Sequence, residues 1–98
     1  MDAGGDERLV VRVGEEVAVT LEENRTTGYS WRLEIPAALL EMIGEEHSRS
    51  SDRAGAGGTV TFRFRASAPG EGRLVAIYER PWEHEPVRRR GWRIVVER

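Results

Sequence analysis

Along residues 59–65, apolar and polar positions take strict turns: Val60, Phe62 and Phe64 interleave with Thr59, Thr61, Arg63 and Arg65. A period of two puts the apolar set on one face of a β-strand and leaves the other face wet. The same period recurs at Leu9, Val11 and Val13, at Val17, Val19 and Leu21, at Tyr29, Trp31 and Leu33, and at Trp92, Ile94 and Val96. Residues 74–78 differ. Leu74, Val75, Ala76, Ile77 and Tyr78 form an unbroken apolar run, which predicts a central strand covered on both faces. Pro36 stops the strand before it, because it cannot donate to a ladder. In residues 37–43, Leu39, Leu40 and Ile43 have helical spacing, yet the stretch is too short to hold as a helix without packing. It is expected as a short strand or one turn of helix that plugs the end of the core. Residues 45–51 are polar and fit an edge strand.

The expected strands span 9–13, 17–23, 29–35, 45–50, 59–66, 73–80 and 91–97. Residues 68–72 connect them across the sandwich end, residues 50–58 form a Ser- and Gly-rich loop, and residues 80–91 form a long one, with Arg88–Arg90 as a solvated turn. Short strands spaced by about ten residues, with no long helix, define an all-β chain: an immunoglobulin-like antiparallel β-sandwich of about seven or eight strands. One domain is expected over 8–98, behind a flexible lead, 1–7, that is acidic and Gly-rich.

Composition narrows the function. The chain has 98 residues, enough for one small core that buries roughly 60–65% of the unfolded surface. Fifteen Arg (there is no Lys) face 17 Asp and Glu, a net charge of −2. That balance gives no general attraction to nucleic acid or to an anionic membrane. The chain has no Cys, hence no disulfide, no thiolate ligand and no thiol nucleophile. Its apolar runs fall far short of a membrane span, and its start lacks the apolar core of a signal peptide. These features fit either side of a membrane. A monomer is expected.

Three connecting stretches stand out. Asn24-Arg25-Thr26-Thr27-Gly28-Tyr29 is a reversal whose Asn can bond its own backbone and whose Gly can take positive φ. Between them stand two stiff, small hydroxyl residues. Gly55-Ala56-Gly57-Gly58 bares its backbone for close approach to another surface. It does not fit a phosphate loop, which needs a following helix where this chain has a strand. Arg80-Pro81-Trp82 leaves the central strand. Trp82, amid Glu83, His84 and Glu85, either folds back on the core or stands exposed as an anchor. With seven strands, these stretches fall at the second-to-third, fourth-to-fifth and sixth-to-seventh connections, which an immunoglobulin-type sandwich gathers at one end.

Catalytic chemistry finds little support. His47 and His84 are the only histidines, and neither has metal-ligand spacing to a second ligand. Ser48, Ser50 and Ser51 lack a nucleophile-elbow setting. No enzyme, cofactor or metal is expected.

The three stretches together resemble the chagasin family of cysteine peptidase inhibitors. That family carries Asn-Pro-Thr-Thr-Gly-aromatic, Gly-x-Gly-Gly and Arg-Pro-Trp in this order. Arg25 departs from the pattern, standing where the family usually has Pro. The resemblance implies a reversible, non-covalent inhibitor of papain-like cysteine peptidases. Thr26 and Thr27 would enter the middle of the cleft, the residues Gly55 to Gly58 would lie along one flank, and Arg80 and Trp82 would grip the other. The alternative is an immunoglobulin-like binding or adhesion module that inhibits nothing.

Overall fold

The computed structural model describes residues 7–24, 28–49, 57–80, 82–83 and 86–98, with Arg49 described by its backbone alone. Among these residues seven strands form two sheets. One sheet holds β1 (Glu7–Arg12), β7 (Arg88–Glu97), β6 (Gly70–Glu79) and β3 (Ser30–Glu34), side by side in that order. The other holds β2 (Glu16–Glu23), β5 (Gly58–Ala66) and β4 (Leu40–Arg49).

Alternation sets the faces. In β5, Val60, Phe62, Phe64 and Ala66 are buried. On its wet face Arg63 and Arg65 reach Glu46 and Glu16 at 3.0 and 3.5 Å. Val19 and Leu21 of β2 stand opposite Phe62 and Val60. Leu74, Ala76, Trp92, Ile94 and Val96 meet them from the other sheet to complete one core. Fully burying a side chain such as Phe64 or Ile94 contributes about 1.5–3 kcal/mol.

The apolar run becomes β6, a central strand buried from Leu74 to Glu79. Its outward residue Ile77 lies between Arg32 and Arg89 in the register, and long arginine stems cover apolar surface of this kind. The buried carboxylate of Glu79 accepts from Arg32 Nε at 3.1 Å. That hydrogen bond is the largest cause holding the Arg32 guanidinium above its usual pKa.

Several boundaries and one direction differ from the sequence reading. β1 pairs with β7 in parallel, Leu9 opposite Ile94, so this sheet is mixed rather than wholly antiparallel. No hairpin joins the first strand to the last, so nothing local fixes their relative direction. β1 opens at Glu7, inside the expected lead, and ends at Arg12. Val13 lies beyond it in an exposed turn. β6 opens at Gly70, shortening the expected 68–72 connection. β7 opens at Arg88, so the arginine run is strand and not turn. There Arg88 pairs with Tyr78 and Arg90 with Ala76, while the Arg90 guanidinium lies 5.3 Å from the Trp92 ring centre.

The ambiguous stretch 37–43 is both of its alternatives in succession. The N–H groups of Leu39 and Leu40 donate to the Pro36 carbonyl at 2.8 and 3.0 Å, a single helical turn. β4 then begins at Leu40 and runs as an edge strand with a bulge between Met42 and Gly44, which leaves Ile43 exposed. Leu39 is buried over β6, where a Cβ on Gly72 would stand 2.9 Å from both Leu39 and Pro36. The end plug therefore requires glycine at that position.

Candidate functional site at one end of the sandwich

The β2–β3, β4–β5 and β6–β7 connections leave the two sheets at the same end. Their bases surround an open cleft of about 640 Å³. Asn24 and Tyr29 line it from the first connection, Gly57 and Gly58 from the second, and Tyr78, Val87 and Arg88 from the third. This juxtaposition follows from topology: each of these connections ends a strand that runs toward this pole.

The first and third connections touch. Gly28 has φ +82°, a left-handed conformation that strains any other L-residue. A Cβ there would come within 2.7 Å of the Trp82 ring, so the indole rests directly on the glycine. Trp82 is nevertheless 67% exposed, which decides between the two options left by the sequence: the ring stands out from the surface and is not folded into the core. The Glu83 N–H donates to the Arg80 carbonyl at 3.0 Å and the Val87 N–H to the Tyr78 carbonyl at 2.9 Å, so the third connection is tied at both ends.

Beneath this contact runs a column of rings. The Arg80 guanidinium lies 4.5 Å from the centre of the Tyr29 ring. Tyr29 stacks on Tyr78 at 5.4 Å with 25° between planes. Tyr78 meets Trp31 at 4.7 Å and 35°. The column is fastened by polar tips, as buried tyrosine and tryptophan usually are. Trp31 Nε1–H donates to the Glu22 carbonyl at 2.9 Å, and the Asn24 N–H donates to the Tyr78 hydroxyl at 3.0 Å.

A histidine braces the end of β2. His47 Nδ1 lies 2.6 Å from Glu23, and Nε2 lies 2.7 Å from Glu45. Both ring nitrogens are thereby within hydrogen-bond reach of separate carboxylates. Among the described residues no group of three His, Cys, Asp or Glu side chains could hold a metal ion.

Of the residues singled out in the sequence, the structure brings together Asn24, Gly28, Tyr29, Gly57, Gly58, Arg80 and Trp82. Gly58 opens β5, paired with Glu23 and Arg49, and is therefore strand and not loop. Arg25, Thr26, Thr27, Gly55, Ala56, Pro81 and His84 lie outside the described residues. Sequence reasoning missed Tyr78 and Trp31 as parts of the site and took both for core. The available signal was the phenol at the end of an apolar run: a buried hydroxyl needs a partner, and the chain turns polar just beyond it, at Glu79 and Arg80.

This end therefore combines a glycine in close contact with an indole, an exposed indole face and an arginine laid over a tyrosine. The chain belongs to the chagasin family, whose model, described as chagasin family peptidase inhibitor I42, matches residues 10–96. It is a cysteine protease inhibitor of that family and not an enzyme. Amoebiasin-1 from Entamoeba histolytica is 31% identical over 77 residues, spanning 76% of this chain and 74% of that one. The fold is similar to the crystal structure of the cysteine protease inhibitor EhICP2 from Entamoeba histolytica, with TM-score 0.85, 21% identity, and 98% and 91% of the two chains covered. It is also similar to PbICP-C in complex with falcipain-2, with TM-score 0.61, 18% identity, and 95% and 88% covered.

Proposed function

We propose that this end of the sandwich plugs the active-site cleft of a papain-like cysteine peptidase, reversibly and without a covalent bond. The observation that carries the reading is the common cleft lined by the bases of all three connections. The turn from Asn24 through Arg25, Thr26 and Thr27 to Gly28 and Tyr29 enters the middle of the enzyme's groove. Its threonines are small enough to enter and offer no chemistry to the catalytic thiolate. Gly55, Ala56 and Gly57 lie along one flank through their backbone, with Gly58 anchoring them to the sheet. Arg80, Pro81 and Trp82 hold the other flank, where the exposed indole gives an aromatic anchor. The similar protein solved with falcipain-2 supports the same kind of partner.

Pre-organisation explains how so small a surface can bind tightly. The ring column and the Trp82–Gly28 contact fix the bases of the loops before any encounter, so little ordering cost remains on binding. Titrating papain and a cathepsin-L-like peptidase with the protein tests the reading. Competitive inhibition that reverses on dilution is the expected outcome. Full peptidase activity at saturating protein would leave a binding module without inhibitory function.

A further inference from the structure

We infer that Tyr78 is the positioning residue of the first loop, and that its hydroxyl holds the chain where it turns out of β2 toward the peptidase. The inference rests on the inhibitor reading for its consequence but on separate geometry for its cause. Tyr78 is 7% exposed, so it stays within the protein and leaves the grip on the enzyme to others. Its hydroxyl accepts from the Asn24 N–H at 3.0 Å, across the gap between the two sheets. Asn24 is the first residue past β2, where the ladder to β5 has ended at Glu23 and Gly58. The buried phenol thus gives the first backbone donor past the ladder an acceptor on the opposite sheet.

The same residue also reaches the third connection. Its ring is the middle of the column, between Tyr29 and Trp31. Its carbonyl accepts from the Val87 N–H at 2.9 Å, where the third connection rejoins the sheet. Tyr29 in turn carries Arg80 on its outer face. One side chain therefore sets the departure of the first loop, supports its return at Tyr29 and, through Tyr29, seats Arg80. A binding surface built this way exists before the encounter. Without the hydroxyl, only the fraction of molecules with Asn24 in place would dock, and apparent affinity falls by that fraction.

The test is Tyr78→Phe, which keeps the ring and both stacking contacts and removes one oxygen. Two readouts separate positioning from simple support of the fold. Hydrogen exchange of the Asn24 amide should accelerate about five- to tenfold, while core amides such as those of Phe64 and Ile94 keep their protection. The association rate with papain should fall in proportion to the fraction of molecules whose Asn24 is displaced, and the dissociation rate should stay as in the parent, because the docked contacts are unchanged. Unchanged exchange at Asn24 overturns the inference, whatever the protein does to papain. Faster Asn24 exchange with an unchanged association rate also overturns it, since the hydroxyl would then hold the chain without consequence for docking. If the parent protein fails to inhibit papain at all, the inhibitor reading falls instead, and Asn24 exchange still decides whether Tyr78 holds that amide. Slower docking together with core amides that exchange faster throughout marks a destabilised fold and counts against a positioning role.

Discussion

At one pole of the sandwich Gly14, Glu15, Leu39, Ala66 and Ser67 are laced to one another by the backbone; at the other, Trp31, Tyr78, Tyr29 and Arg80 do that work with side chains. The Gly14 N–H donates to the Ala66 carbonyl at 2.9 Å, the Ala66 N–H to the Glu15 carbonyl at 2.9 Å, and the Ser67 N–H to the Leu39 carbonyl at 2.7 Å. The buried Leu39, seated against Gly72, fills the space between these turns. The opposite pole has a cleft where the first has a plug. Backbone lacing of this kind satisfies those donors within the protein and serves stability. At the cleft end, side-chain contacts between the connections add to the backbone bonds at Arg80 and Tyr78, which suits the recognition role proposed for it.

The contrast can be broken by substitution, and the effects should sort by pole. Leu39→Ala should cost about 2–4 kcal/mol of unfolding free energy through the cavity it leaves, read as a lowered urea midpoint. The inhibition constant at 25 °C should not move. Trp82→Ala should do the reverse. Affinity for the peptidase should drop by about 2 kcal/mol or more, while the melting temperature holds because the ring is mostly in solvent.

Gly28→Ala should lower affinity by about 1–2 kcal/mol, from left-handed strain and from the displaced indole. Combined with Trp82→Ala it should cost less than the two separately, since the clash disappears with the ring; strict additivity in the double-mutant cycle would mean that the two loops act independently. Smallest of all, Arg63→Ala on the wet face of β5 removes an exposed pair with Glu46. It should change stability by no more than about 0.5 kcal/mol and inhibition not at all. A large effect of Arg63→Ala on inhibition would mean that the binding surface extends down the sheet face.

How far the sequence spoke depended on what each element uses as its signal. β5 and β2 were legible because Val60, Phe62, Phe64, Val19 and Leu21 carry a period that only a half-buried strand satisfies. β6 was legible as a covered run. The start of β7 was not, since Arg88, Arg89 and Arg90 look like a solvated turn until pairing with β6 gives their backbone a partner and Trp92 gives Arg90 a face to lie on. The parallel pairing of β1 with β7 was equally hidden, because strand periodicity says which face is apolar and nothing about the neighbour. At the site, Gly28, Arg80 and Trp82 stood out from their types, because they belong to patterns with a mechanical meaning. Those that hold them in place did not. Trp31 and Tyr78 sit at ordinary core positions, and only the placement of the Asn24 amide and the Glu22 carbonyl turns them into fasteners.

The most direct measurement of the central claim is an amide hydrogen-exchange map of the protein, free and saturated with papain. New protection is expected at Asn24, Gly28, Tyr29, Gly57, Arg80 and Trp82, with none at Gly14, Leu39 or Ser67. Protection centred on Gly14, Leu39 and Ser67, or spread along the face of either sheet while Trp82 exchanges as in the free protein, would contradict it.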